Sequence, residues 1–378
     1  MVEIIEVKTK KQQREFLDFP LKMYRDNPYF VPPLYMDEKK IFDQDYVYYD
    51  QCDAVYYNAY RDGVMVGRIS GILQKVSNEI RNEKRVRFAR FDAINDLEVA
   101  KALFDAVEAW AKSVGMDEVV GPLGFSDLER EGLLIEGFDQ MSTFEEQYNA
   151  DYYGGLIEKC GYGKEVDWVE SRLQPNDEEE ETLLKTAELV MKRYKLHLGE
   201  ARNTNDFLNR YKDQFFELLD ESYKDIYGTV PFTDAMKKMM IDNFKLIIDM
   251  RYVSVVLDEQ GKVVCLAIVF PAIGKALQKS GGHLTPAALV KVLKEIRHPH
   301  GIDLGLIGVD PEYLNRGVPA ILMAHMLKMY RKLNVQWADT NLNLEDNSAI
   351  RNMWKHFNAV ENKRRRCYVK NISENCNK

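Results

Sequence analysis

The order hairpin, strand, helix, strand occurs twice in this chain of 378 residues. Residues 55–61 and 64–73 are rich in β-branched and aromatic side chains and meet at Asp62-Gly63. That dipeptide accepts the positive φ of a tight hairpin turn. Residues 252–257 and 262–270 repeat the pattern around Asp258-Glu259-Gln260-Gly261. After the first hairpin the pattern predicts a strand over 86–91 and a helix with Val99, Leu103, Ala106, Val107 and Trp110 on one face. Gly115 stops that helix, and a strand follows over 118–120. After the second hairpin come a strand over 304–309 and a helix over 319–333 carrying Ile321, Leu322, His325 and Met329. It ends near Asn334 and leads to a strand over 335–341. Such a repeat predicts an α+β protein of two like domains, each a twisted mixed sheet with helices on both faces. The second copy is longer, and its surplus fits residues 272–300, a glycine-containing loop followed by an amphipathic helix over 285–297.

The second copy also carries local chemistry. Its strand over 301–309 runs into Asp310-Pro311-Glu312-Tyr313-Leu314-Asn315-Arg316-Gly317-Val318, and an apolar helix opens at Pro319. The first amides of a helix have no internal partner and carry the positive end of its dipole, so the place suits a phosphate. Pro319 has no N–H to offer but is well tolerated at a helix start. The matching stretch of the first copy, Asp92-Ala93-Ile94-Asn95-Asp96, has no glycine and reads as non-binding.

Composition narrows the function. The net charge of -8 comes from 52 basic and 60 acidic residues mixed along the chain, which argues against broad nucleic-acid binding. Neither a secretory signal nor an apolar run long enough to span a bilayer is apparent, so the expectation is a cytoplasmic protein without a membrane partner. Five scattered cysteines (Cys52, Cys160, Cys265, Cys367, Cys376) fit a reducing compartment. His298 and His300 lack a third ligand at useful spacing, so no metal is expected. In Lys363-Arg364-Arg365-Arg366 the alternation of a strand sends Lys363 and Arg365 to one side and Arg364 and Arg366 to the other, which splits any basic patch. The acidic stretch 175–181 reads as a linker entering a helix, with Asp177 and Glu180 as a capping box. The expected division is a domain over 1–173, a linker and helix over 174–194, and a domain over 195–378. An internal pair of like domains suggests a monomer.

Taken together, these features resemble the GNAT superfamily of acyl-CoA-dependent N-acyltransferases, in tandem. The match is best over roughly 195–370, through Val309-Asp310-Pro311-Glu312-Tyr313 and Gly317, and through Asn347 at the start of a helix. Residues 121–126 and 131–138 look like a subfamily of tandem GNAT-like proteins. The resemblance implies an acyl-CoA, acetyl-CoA or another, held by Gly308, Val309, Asn315, Arg316, Gly317, Val318, Ala320 and Asn347. It implies acyl transfer to a small-molecule or peptide primary amine, with Asp303 as base. Tyr368 would supply a proton to the leaving thiolate. Asp303 also reads as a solvated strand-end carboxylate, and Tyr368 as a half-buried strand residue. The chain departs from the family pattern at Leu314 and Pro319 in the turn, and at Trp354, where the family often has a tyrosine. Those departures keep open a non-catalytic binding or scaffolding pair, and the resemblance to tandem GNAT-like proteins leaves an aminoacyl or peptidyl transferase as a further alternative.

Overall fold

The computed structural model describes residues 1–247 and 249–373; Cys376 lies outside them. Two compact units are present, and neither is one stretch of chain. The first comprises residues 1–169, 274–288 and 363 onward; the second comprises 170–273 and 289–362.

In the first unit the hairpin strands Cys52–Arg61 and Val64–Gln74 turn at Asp62 and Gly63, both at positive φ (52° and 76°). Glu3–Glu6 pairs outside the hairpin, and the central strand Arg85–Ala93 pairs inside it. A bulge at Arg90, φ 51°, interrupts the central strand. The crossover helix Leu97–Ser113 lays Val99, Leu103, Phe104 and Val107 on Val66, Ile69, Val86 and Phe88. Each such side chain contributes on the order of 1.5–3 kcal/mol by leaving water. The helix stops before Gly115, as expected, and the chain returns as the partner strand Glu118–Gly121. The sheet is completed from the far end of the sequence, where Tyr368–Asn371 pair antiparallel with that strand. Lys363 and Arg365 are buried there, while Arg364 and Arg366 reach Asp167, so the basic run is split between two faces as its alternation predicts. The surplus expected in the second copy exists, but its loop belongs to the first unit. Gln278 donates to the carbonyls of Pro28 and Phe30, and His283 stacks on Tyr35.

The second unit repeats the plan. Its hairpin is Val253–Leu257 and Val263–Pro271, its central strand Gly301–Val309, its crossover helix Pro319–Leu333 and its partner strand Trp337–Asp339. Residues 172–173 pair beyond the partner strand, and His197–Leu198 pairs outside the hairpin. Ile321, Leu322 and Met326 pack with Val256, Val264 and Leu304 in an apolar core. Helix Asp177–Tyr194 adds Leu183 and Ala187 to that core. Its cap is Asn176, whose side chain accepts from the Glu178 amide, and not the expected Asp177–Glu180 box. Asp177 and Glu180 instead meet Arg331 of the crossover helix. On the other sheet face lies helix Thr204–Tyr223; Leu218 and Leu219 cover Gly308, where an added Cβ would stand 3.3 Å from the Leu218 Cγ.

Candidate active site

In each unit the central and partner strands run parallel for three paired residues and then part. Arg85, Val86 and Arg87 pair with Glu118, Val119 and Val120 in the first unit; Gly301, Ile302 and Asp303 pair with Trp337, Ala338 and Asp339 in the second. Asp303 therefore stands where the second fork opens. It is 5% exposed, not a solvated strand end. Asp303 is opposite Asp339, and Asp339 is opposite Arg172 on the next strand, which places three charged groups in a row on one face. The Arg172 guanidinium donates two hydrogen bonds of 2.8 Å to the Asp339 carboxylate. Asp339 first, and Asp303 in addition, holds the guanidinium above its usual pKa.

The first unit closes its fork with its own chain. The Leu123 amide donates to the Phe88 carbonyl at 2.9 Å. Gly121 sits so close that an added Cβ would stand 2.3 Å from that oxygen. Arg87, at the position of Asp303, donates to the Gly124 carbonyl and the Ser77 hydroxyl.

The starts of the two crossover helices also differ. Asp96 caps the first, accepting from the amides of Glu98 and Val99 at 2.8 and 3.4 Å. Val318 occupies the cap of the second and brings no side-chain acceptor. Before it, residues 311–316 wind into a 3-10 turn begun by Asp310, which accepts from the Glu312 amide and pairs with Lys262. Gly317 then reverses the chain at φ 75°. Arg316 is exposed, lies over the rings of Tyr313 and Tyr194, and makes no ion pair among the described residues.

Other residues implied by the resemblance are differently placed. The Ala320 amide turns back to the Gly317 carbonyl at 3.0 Å, within the turn itself. Asn315 is exposed beside Arg316. Gly308 faces helix Thr204–Tyr223, the Val309 side chain lies in the core with the crossover helix, and the Ser222 hydroxyl donates to the Val309 carbonyl. The Asn347 side chain caps helix Ser348–Met353 by accepting from the Ile350 amide. Tyr368 belongs to the first unit, where it is buried with its hydroxyl 3.4 Å from Glu158. Burial pushes its phenol up to about 12, which makes it a weaker acid. The structure therefore does not put Tyr368 and Asp303 in one unit.

Two features were missed in the sequence. Tyr223 reaches the open edge of the second fork, donating to the Ile307 carbonyl and accepting from the Ile307 amide at 3.2 and 3.3 Å. The first unit has a charged interior. Arg90 makes two 3.1 Å bonds to Glu38 and lies 3.5 Å from Glu129. Burial pushes the Glu38 carboxyl up, but Arg90 outweighs it and the net shift is down. Burial raises the Glu131 carboxyl, reinforced by Asp127, and pushes that of Glu145 up to about 7. Burial also pulls the Arg130 guanidinium down to about 10. The only sequence signal was the stretch 131–138, which holds Glu131. No group of residues that could hold a metal is found among the described residues.

No family model matches the chain. Protein YghO of Escherichia coli strain K12 is 27% identical over 374 residues, covering 96% of this chain and 94% of that one. The bacterial ceramide synthase of Caulobacter vibrioides is 24% identical over 388 residues, covering 98% and 97%. Among solved structures, a tandem GNAT protein from the clavulanic acid biosynthesis pathway superposes with a TM-score of 0.58 at 11% identity, covering 98% of this chain and 99% of that one. That likeness shows the fold, two GNAT units in tandem.

Proposed function

We propose that this chain, two GNAT folds in tandem, is an N-acyltransferase that moves an acyl group from an acyl-CoA to a primary amine in its second unit. The observation that carries the reading is that no side chain caps the helix start at Val318, set against the Asp96 carboxylate that fills the same place in the first unit. An anion is favoured at an uncapped helix N-terminus. The exposed Arg316 beside the Gly317 turn, without an ion pair among the described residues, fits a diphosphate. The relative named bacterial ceramide synthase supports amine acylation, because a ceramide is the amide of a fatty acid and a long-chain amino alcohol.

Acyl-CoA, when bound, supplies the acyl group as an activated thioester. Arg316 and the turn after it would hold the phosphates, and the parted strands would hold the arm. Asp303 would take the proton of the attacking ammonium, directly or through water. Arg172 is committed to Asp339 and would hold that second carboxylate in place. Expelling water between the strands and fixing the amine supply much of the rate.

One observation favours the non-catalytic alternative. Tyr223 already occupies the Ile307 edge of the fork, where an incoming arm would meet the strand. The test is acetyl-CoA and longer acyl-CoA binding, followed by calorimetry, with Gly317→Val and Asp303→Asn. Gly317→Val should lose affinity at least tenfold while costing roughly 1 kcal/mol of stability, because φ 75° disfavours a side chain. Asp303→Asn should keep affinity and lose turnover on the order of a hundredfold. Unchanged affinity in a folded Gly317→Val protein sinks the donor site. No binding by the parent favours the non-catalytic pair.

A further inference from the structure

Among the described residues, the largest group of exposed large apolar side chains close in sequence lies around helix Pro286–Arg297. Leu284, Leu289, Val290 and Leu293 are all more than 40% exposed there, and Val290 reaches 67%. Only Ala288 and Val292 of the helix are buried. With about 100° between successive residues of an α-helix, the outward arc divides in two. Measured from Ala288, Leu289, Leu293 and Val290 fall at about 100°, 140° and 200°. Arg297, Lys294 and Lys291 fall at about 180°, 240° and 300°. An apolar band over about 100–200° thus overlaps at its edge, at Arg297, with a cationic one over about 180–300°. None of the three cations forms an ion pair among the described residues. The only acid between residues 279 and 300 is Glu295, and His300 sits on it at 2.8 Å.

We propose that this helix docks the protein on an anionic lipid surface. A helix lying in a bilayer interface buries an apolar face among the acyl chains and sets cations against the headgroups, and this one presents both on adjacent arcs. Charge selects the occupant. The chain as a whole carries -8 and is repelled by an anionic surface, whereas the segment from Lys279 to His300 holds four Lys and Arg against one Glu. The contrast attracts one face and turns the rest away. This interaction is peripheral and spans nothing; no described helix is long and apolar enough to cross a membrane. It stands independently of acyl transfer.

The experiment is flotation of the full chain with vesicles of phosphatidylcholine alone and of phosphatidylcholine mixed with phosphatidylglycerol, at low and high salt. The protein should float with the mixed vesicles only, and less so at high salt. Lys291→Gln and Lys294→Gln should weaken partitioning about fivefold each. Leu289→Ser combined with Val290→Ser and Leu293→Ser should abolish it while the circular dichroism of the protein stays unchanged, because these side chains are exposed. Failure of the unaltered protein to float with mixed vesicles overturns the proposal, as does equal flotation of the triple variant. Equal binding to neutral vesicles removes its charge argument and overturns the anionic assignment. A concentration-dependent dimer that the triple variant breaks, without vesicle binding by the parent, assigns the face to a second copy instead.

Discussion

The two crossover helices begin at equivalent places in a repeated fold, and only one of them begins with a capping side chain. Asp96 satisfies the first helix with its own carboxylate, and Leu123 stitches the adjacent fork shut. The second unit brings no such acceptor at Val318, and its fork opens at Asp303. The interiors differ in the same sense. The second core is lined with Val, Leu and Met, whereas the first encloses Glu38, Arg90, Glu129, Arg130 and Glu131. Duplicating a fold therefore repeats its strand order and helix ends without repeating its chemistry. Sites are carried by a few positions grafted onto a common frame.

The largest test of this contrast is to break one ion pair in each unit. Arg90→Met takes from Glu38 and Glu129 the cation they share, leaving Arg68 and Arg130 as more remote influences on Glu38, and should cost about 3–5 kcal/mol. Lys262→Met removes the partner of Asp310 from a largely exposed position, and should cost less than about 1 kcal/mol. Urea denaturation measures both, and equal costs would erase the claimed difference between the interiors.

The next effect is one of pH. Burial raises the Glu145 carboxyl from 4.5 to about 7, so between those values the folded protein keeps a proton that the unfolded chain has released. Stability from this group is therefore present below the lower value and is lost as pH rises through the upper one. Glu145 keeps some accessible surface, so the loss is discounted to roughly 2 kcal/mol. Glu145→Gln should flatten the profile between pH 5 and 8 and stabilise the protein at the alkaline end. An identical slope in parent and variant would assign the pH dependence elsewhere.

The smallest effect is the most pointed. Asp96→Ala makes the first helix start as bare as the second, and should cost about 1 kcal/mol. If an uncapped end suffices for an anion, the variant's first unit should bind CoA more tightly than the parent's. If it does not, the glycine turn and Arg316 are what the second unit adds. Calorimetry on Asp96→Ala in a Gly317→Val background separates these outcomes.

Much of the fold was legible because its punctuation is local. Asp62-Gly63, Gly115 and Asn334 all adopt the positive φ that their residue types accept, so turns and helix ends could be read residue by residue. The Asn176 cap was missed because Asp177 and Glu180 offered an equally good local pattern, and Arg331, far along the chain, claimed them. Asp303 could be named from its place before the turn. Its row with Asp339 and Arg172 depends on register among three strands from distant parts of the sequence, which no local pattern encodes. Tyr223 at Ile307 was hidden for the same reason. The charged interior of the first unit escaped because buried and exposed charges look alike in a composition.

The strand that ends the chain has a consequence for how the molecule is made. Tyr368–Asn371 pair with Glu118–Gly121, and Arg364–Arg366 pair with Leu133–Glu136. A ribosome delivers residues 364–371 long after 118–136. The first unit must wait, with its sheet unfinished, until residues 364–371 have been made. Folding of the two halves cannot be strictly sequential in the usual order, first made and first finished. A chain cut just before Lys363 would lack that strand of the earliest-made unit while keeping most of the later one.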